Sequence, residues 1–118
     1  MILVDTSVWI NHFRAGNERL KSLLFDQQVL CHRFIIGELA CGNLRKRSEI
    51  LANLKALPEA HSVEHEEVMS FLESHRLYGQ GVGWVDAHLL ASTLLTRCAI
   101  WTLDKPLRKA AALLNVLA

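Results

Sequence analysis

Short apolar runs alternate along the chain with longer segments in which apolar residues recur every three or four positions. Residues 2–4 form an apolar run that ends at Asp5-Thr6-Ser7, which is typical of a buried strand followed by a helix start. Further strands are predicted at residues 29–31 and 99–102. A weak strand is predicted at residues 60–63 and an edge strand at residues 116–118.

Helical periodicity fills the segments between these strands. The first predicted helix follows Asp5 and ends at the Gly16-Asn17 break, and the last begins at about Lys105. The other predicted helices span residues 18–25, 34–44, 48–57, 64–77 and 84–97. Strands that alternate with helices predict an α/β fold with a central, mostly parallel sheet, helices on both faces and a ligand site beyond the carboxyl ends of the strands.

The composition excludes several classes of protein. A length of 118 residues suits one domain, so we expect residues 1–118 to form a single one. No apolar run approaches the roughly 18 residues of a membrane-spanning helix, and the first residues do not resemble a signal peptide, so we expect a cytoplasmic protein. The formal net charge of +1 excludes a strongly cationic domain that coats nucleic acid, so RNA binding would need a local patch.

The cysteines and histidines lack the spacing of metal ligands. Three cysteines without a C-x-x-C pair argue against a disulfide framework and against a structural zinc site. We expect reduced, half-buried core residues at Cys31, Cys41 and Cys98. Surface or packed positions are expected for His12, His32, His75 and His88.

Glu38 is the most unexpected acid, because it interrupts the apolar helix predicted at residues 34–44. Phe34 and Ile35 lie about one turn before it and Cys41 about one turn after it, so these residues share its side of the helix. An ionised carboxylate on a buried apolar face costs several kcal/mol unless a cation or several donors compensate it. We therefore expect Glu38 to be buried and to have a partner.

Three aspartates stand where strands end or a helix begins. Asp5 and Asp104 follow predicted strands, so both would lie at the carboxyl edge of a parallel sheet, where ligand sites form. Asp86 opens the helix after the glycine-spaced loop at residues 79–83. Helix capping explains each aspartate equally well when it is taken alone, because aspartate accepts hydrogen bonds from the N–H groups of a first turn.

The four carboxylates together favour a metal site. Two such charges at about 4 Å repel by roughly 4 kcal/mol at an effective dielectric of about 20, and a divalent cation removes that repulsion. Oxygen ligands without clustered histidines or thiolates suit Mg²⁺ or Mn²⁺. These ions bind through one or two carboxylates and keep several waters, which leaves room for a phosphate.

Four segments that contain these acids resemble the motifs of PIN-domain ribonucleases, in particular the VapC toxins of type II toxin–antitoxin systems. They are LVDTSVW at residues 3–9, FIIGEL at 34–39, GVGWVDAHLLA at 81–91 and WTLD at 101–104. The segments follow the family order and span nearly the whole chain. The resemblance implies a PIN-like three-layer α/β/α fold and an Mg²⁺- or Mn²⁺-dependent endoribonuclease.

The resemblance also implies the site residues and a mechanism. The acidic positions of the RNA-cleaving site are Asp5, Glu38, Asp86 and Asp104. Asp5 and Asp86 would be direct metal ligands, and the other two would complete the site. The metal would polarise the scissile phosphate and activate a water for in-line attack, leaving 5′-phosphate and 3′-hydroxyl ends. The small hydroxyl residues that accompany the acids in the family, or that cap helices in any protein, are matched by Thr6, Ser7 and Thr102.

Partners follow from the same resemblance. VapC-like proteins form homodimers and are inhibited by a small VapB-like antitoxin whose tail enters the acidic site, so we expect both partners here. Exposed apolar residues on the first two helices would mark such an interface. Arg14 and the basic residues at 45–47 and 108–109 are candidates for RNA phosphate contacts, although scattered basic residues usually form only a solvated face.

Other functions use parts of the same pattern. Residues 61–65, HSVEH, fit the H-x-x-E-H pattern of some zinc peptidases, but they cross a predicted strand-to-helix junction. A receiver-like signalling module would share Asp5 and Lys105, yet no aspartate ends the middle strand. A catalytically inactive protein-binding module would keep the fold without needing all four acids.

Overall fold

Three parallel strands form the centre of the protein in a computed structural model that describes residues 1–118. The strands are β1 (Ile2–Val4), β2 (Val29–Leu30) and β3 (Ala99–Trp101). Their order in the sheet is β2-β1-β3, so the first strand of the chain is the central one. Single parallel bridges extend both edges, from Cys31 to Glu59 and from Ile100 to Leu117.

Seven helices connect and cover these strands. They are α1 (Thr6–Ala15), α2 (Glu18–Phe25), α3 (Arg33–Cys41), α4 (Arg47–Ala56), α5 (His65–Ser74), α6 (Trp84–Thr96) and α7 (Lys105–Leu113). None of them combines the length and the apolar character that a crossing of the bilayer requires. The predicted α/β fold with a parallel sheet is confirmed.

Both faces of the sheet are covered by helices. Leu3 and Val4 are neighbours on β1 and point to opposite faces, and neither has any exposed surface. A strand buried on both sides needs apolar residues at every position, which explains why residues 2–4 do not alternate with polar ones. Helix α6 is buried over residues 87–93, as expected for a helix that is apolar on all sides.

The two weakest predicted strands are reduced to single bridges. Ala60 N–H donates to the carbonyl of Cys31 at 2.8 Å, but the next residue, His61, donates its N–H to the hydroxyl of Thr96 at 3.0 Å. The ladder ends here because the partner segment leaves the sheet after Cys31, where His32 becomes the N-cap of α3. At the other edge, pairing is limited to Ile100, which exchanges bonds with residues 116 and 118.

Helix ends differ from the predictions where a side chain caps the backbone. Helix α3 begins at Arg33 because His32 Nδ1 accepts the N–H of Phe34 at 3.0 Å, a cap that the hydrophobic pattern does not indicate. The same helix ends at Cys41, three residues earlier than predicted. Cys41 is therefore exposed at a helix end, and the prediction that it is half-buried is wrong, whereas Cys31 is buried and Cys98 is half-buried.

Candidate active site

The pairing of β1 with β3 brings the first acid beside residues almost a hundred positions away. Val4 pairs with Trp101, and the N–H of Asp5 continues the ladder by donating to the carbonyl of Trp101 at 2.9 Å. This register places Thr102 next to Asp5, and its hydroxyl donates to Asp5 Oδ2 at 2.7 Å. The carboxyl ends of two neighbouring strands thus meet at one point, as predicted for a parallel sheet.

Two hydroxyl groups hold the Asp5 carboxylate in one orientation. Ser7 Oγ also donates to Asp5 Oδ2, at 2.8 Å. Both hydroxyl oxygens are themselves acceptors, since Leu103 N–H donates to Ser7 Oγ at 3.0 Å and Asp104 N–H donates to Thr102 Oγ1 at 3.1 Å. Each hydroxyl thus accepts a backbone N–H and donates its own proton to Asp5 Oδ2.

The second oxygen of Asp5 remains available for a ligand. Asp5 is only 5% exposed, and its Oδ1 makes no hydrogen bond. Trp9 Nε1 is the only polar side-chain atom in the structure that is both buried and without a hydrogen-bond partner. Asp5 Oδ1 has no partner either, so it must be in contact with solvent. Asp5 stands at the N-cap position of α1 but makes no capping bond with its side chain, so capping does not explain this residue.

Glu38 lies across from Asp5 on α3. Thr6 Oγ1 donates to Glu38 Oε1 at 2.7 Å, which links α3 to the first turn of α1. The prediction that Glu38 is buried is wrong: its side chain is exposed, and the buried face of α3 is carried by Ile35 and Leu39. The partner of Glu38 is the hydroxyl of Thr6, which carries no charge. The negative charge of Glu38 is therefore offset by solvent and by this one hydrogen bond.

Asp86 has the most perturbed ionisation among the four acids. Burial raises the pKa of Asp86 to about 6, and the charge of Asp5 is the next largest cause, followed by those of Asp104 and Glu38. A hydrogen bond from the backbone of Gly83 acts in the opposite direction. All three other acids therefore lie within electrostatic reach of Asp86, so the structure brings the four predicted residues together.

Asp104 caps a helix, which is the structural role that the sequence also allowed for each aspartate. Its Oδ2 accepts the N–H of Leu107 at 3.0 Å and caps α7. This bond uses one oxygen and leaves Oδ1 without a hydrogen-bond partner. Asp104 is exposed, so its charge is better solvated than those of Asp5 and Asp86.

No basic side chain neutralises these acids. The three salt bridges of the structure lie elsewhere, and they join Lys21 to Glu18, Arg33 to Glu59 and His65 to Glu66. No three carboxylate, histidine or cysteine side chains converge closely enough to enclose a metal ion by themselves. Oxygen donors with uncompensated charge, arranged as an open group, suit a hard cation such as Mg²⁺, which takes one or two carboxylates and keeps its waters.

A pocket of about 410 Å³ borders Glu38, between α1 and the segment that follows α3. Glu38 forms part of its wall, and Ile10 and Phe13 supply apolar surface from α1. Arg14 and Arg45 also line it, so two of the predicted basic candidates lie near the acids. On the opposite side, Arg108 Nη1 is anchored by the carbonyl of Thr102 at 3.2 Å.

A row of aromatic rings connects α6 to α3, and the hydrophobic pattern did not reveal it. Trp84 contacts His88 at 4.7 Å between ring centroids, and His88 contacts Phe34 at 4.8 Å. Trp84 and His88 are one turn apart and flank Asp86, which is the signal that could have indicated the row. His88 is buried, as expected for a packed histidine, and burial lowers its pKa.

The HSVEH segment does not form a zinc site. Helix α5 begins at His65, so residues 61–65 do not lie on one helix, and no group of metal-ligating side chains forms there. His32 is a packed histidine whose Nε2 contacts Ser92 Oγ at 3.1 Å.

Comparison with known proteins agrees with this geometry. Residues 2–113 match the family model described as the PIN domain. The chain is also 47% identical over 113 residues to the protein named Ribonuclease VapC32 in two strains of Mycobacterium tuberculosis. The match covers 95% of this chain and 91% of each relative. The family match spans the segments that carry the four acids, and this chain belongs to the PIN domain family.

Proposed function

We propose that this protein is a metal-dependent endoribonuclease and the toxin component of a type II, VapBC-like toxin–antitoxin system. The observation that carries the proposal is the gathering of Asp5, Glu38, Asp86 and Asp104 at one sheet edge, without a basic partner and with the pKa of Asp86 raised to about 6. The close similarity to a protein named ribonuclease supports it. Residues 1–118 would act as one PIN domain in the cytoplasm.

The proposed site divides its work among these residues. Asp5 and Asp86 hold Mg²⁺ or Mn²⁺, and Glu38 and Asp104 complete the negative site. When bound, such an ion polarises a phosphate oxygen and lowers the pKa of a water, which suits hydrolysis of a phosphodiester. Ser7 and Thr102 fix Asp5 through Oδ2, so that Oδ1 faces the ligand, and Thr6 orients Glu38 in the same way.

Preorganised ligands matter because an ion loses little of its binding energy to rearrangement when the oxygens are already in place. The hydroxyl donors hold the Asp5 carboxylate by bonds of 2.8 Å and 2.7 Å to one oxygen. Arg14, Arg45 and Arg108 supply the local positive charge that RNA phosphates need in a chain of nearly zero net charge.

Cleavage of RNA by the purified protein tests the proposal. The expected result is endonucleolytic cutting with Mg²⁺ or Mn²⁺, loss of cutting in EDTA, and 5′-phosphate ends on the products. Asp5→Asn should abolish cutting, because it removes one of the carboxylate ligands. Asp26→Asn is the matched control, since Asp26 is an exposed acid at the end of α2 and away from the four acids. Full activity of Asp5→Asn, or equal cutting in EDTA, would refute the proposal.

The proposed partners are a VapB-like antitoxin and a second copy of this chain. The pocket beside Glu38 supports the first, because Ile10 is 42% exposed there and Glu38 forms part of the pocket wall. An inhibitory segment seated in it would reach the site directly. Co-expression with a VapB-like antitoxin should yield a complex without ribonuclease activity, and Ile10→Ser, which adds no charge beside Arg14, should weaken that complex while leaving cutting by the free protein intact.

A further inference from the structure

Arg108 is the basic side chain that the structure ties most directly to the acidic site. Its Nη1 donates to the carbonyl of Thr102 at 3.2 Å, and the hydroxyl of the same threonine donates to Asp5 Oδ2 at 2.7 Å. One residue therefore separates the guanidinium from a carboxylate that is proposed to bind the metal. Arg14 and Arg45 have no such link, and they only line the pocket between α1 and the segment that follows α3.

The position of Arg108 on α7 explains this contact. Side chains on a helix lean toward its N-terminus, and Arg108 lies one turn after Asp104, the N-cap of α7. The guanidinium thereby reaches back to the end of β3, where Thr102 follows the last residue of the strand. Helix α7 packs on the core through Leu107 and Ala111, which leaves Arg108 exposed.

The charge of Arg108 has no acidic partner in the protein. None of the three salt bridges involves this residue, and no carboxylate oxygen lies within 4.0 Å of its guanidinium. A guanidinium has five N–H donors in a planar fork, and the contact with Thr102 uses one of them. The other donors are available to an oxyanion of a ligand, and hydrogen bonds between two such charged groups are the strong ones.

The sheet places this cation and the other two basic candidates on different sides of the acids. In the order β2-β1-β3, Asp5 follows the central strand, whereas α3 with Glu38 and α7 with Arg108 follow the two edge strands. The pocket that Arg14 and Arg45 line includes Glu38, so it belongs to the β2 side. A polyanion that crosses the acids from one edge to the other therefore meets positive charge before and after them.

We propose that Arg108 binds the phosphate next to the cleaved one in the RNA and so fixes which phosphodiester lies over the acids. The inference rests on the proposed ribonuclease function. Because Thr102 stands between the guanidinium and Asp5, a phosphate held at the acids and one held at Arg108 are separate groups of one strand. The fork can bind two oxygens of one phosphate, which gives orientation as well as affinity. Arg108 thus positions the substrate, and the acids carry the reaction.

Methylphosphonate scanning of a short single-stranded RNA tests the proposal. In each substrate one phosphate beside the cut site is replaced by a methylphosphonate, which carries no charge. For the native chain, replacement at one neighbouring position should raise KM about tenfold, the lower end of what loss of a hydrogen bond to a charged group costs. Arg108→Gln should raise KM for the unmodified RNA by a similar factor, with kcat changed less. Replacement at that position should then have no additional effect.

Binding measured without cutting gives a second readout. Fluorescence anisotropy with the inactive Asp5→Asn chain measures RNA affinity at several salt concentrations. The addition of Arg108→Gln should weaken this affinity about tenfold and reduce the slope of log affinity against log salt concentration by about 0.7, because one phosphate contact is lost. Arg97→Gln is the matched control, since Arg97 is exposed at the end of α6, about 16 Å along the helix from Asp86. It should leave KM and the salt slope unchanged.

The outcomes separate the roles that Arg108 could have. An unaltered KM in Arg108→Gln, while the native chain cuts RNA, would overturn this proposal and leave the ribonuclease function intact. Absence of metal-dependent cutting by the native chain would overturn both. A side chain that only closed the end of β3 through Thr102 would give Arg108→Gln a lower urea stability and a KM change that is independent of the modified phosphate. That result would also overturn the proposal.

Discussion

Replacement of Asp86 by asparagine removes the charge that the metal-free site tolerates least. Burial and the charges of Asp5, Asp104 and Glu38 raise the pKa of Asp86 from 3.8 to about 6. The folded chain therefore binds this proton more tightly than the unfolded chain does. The contribution of Asp86 to the stability of the metal-free protein consequently falls as the pH rises from about 4 to about 6, and this loss is complete at neutral pH.

The size of the effect follows from the pKa difference. A separation of about 2 pKa units corresponds to about 3 kcal/mol at neutral pH, because each unit is worth about 1.4 kcal/mol. The amide of the new asparagine keeps an oxygen that can accept the hydrogen bond from Gly83, so Asp86→Asn removes the charge and little else. Because Asp86 is only half-buried and solvent screens part of the repulsion, we expect this variant to be up to about 3 kcal/mol more stable than the native chain in EDTA at neutral pH.

Urea unfolding followed by tryptophan fluorescence measures this difference. The gain from Asp86→Asn should shrink toward zero at about pH 4, where the native carboxyl is protonated in the folded state. Asp26→Asn, in which an exposed acid away from the site is neutralised, should change stability little at either pH. Saturating Mg²⁺ should stabilise the native chain and not the variant, because only the native chain keeps both proposed ligands.

Two results would refute this account of the site. One is a variant whose stability in EDTA at neutral pH equals or falls below that of the native chain. The other is a gain of equal size at about pH 4, which would mean that the substitution acts through packing and that the charge is irrelevant.

Three further predictions concern residues around the acids. Thr102→Val removes a hydrogen-bond donor to Asp5 and the acceptor of the Asp104 N–H. Metal affinity or cleavage should therefore fall by about 10- to 100-fold. An unchanged Mg²⁺ titration of cleavage would contradict the role given to the hydroxyl. Burial lowers the pKa of His32 from 6.5 to about 4, so protonation of this residue on acidification should contribute a loss of about 3 kcal/mol of unfolding free energy, opposite in sign to the contribution of Asp86. His32→Asn should flatten that pH dependence in urea titrations. Gly81→Ala should lower the free energy of unfolding by about 1 kcal/mol or more, because φ of residue 81 is +80° and the added Cβ would lie 3.3 Å from Pro106. An unchanged melting temperature would show that the loop relaxes freely.

The local pattern of the chain determined most of the secondary structure. Helix α2 has the predicted bounds, and α6 begins at the predicted residue. The apolar runs at residues 2–4 and 99–101 are strands, as predicted. These elements are set by short-range properties, namely apolar periodicity and turn signals, which a sequence displays directly. The acids were also evident from sequence, since carboxylates in apolar surroundings stand out and their motifs resemble those of a family.

Tertiary structure decided whatever depends on residues distant in the chain. The strand expected at residues 60–63 does not form because its partner segment leaves the sheet after Cys31 and enters α3 at Arg33. The exposure of Glu38 follows from how α3 is oriented on the sheet, which helical periodicity alone does not determine. Asp5 is held by Ser7 and Thr102 only because β1 pairs with β3, so the hydroxyl network appears once that register exists.

What the sequence determined by itself is therefore the inventory of elements and the identity of the acids. Only the fold decided which oxygen of Asp5 is free, which acid carries the raised pKa, and that Trp84 is exposed while the other two tryptophans are buried. The physical reason is the range of the interactions. Propensity and capping act over a few residues, whereas burial, charge repulsion and hydrogen bonds between side chains act between residues that only packing makes neighbours.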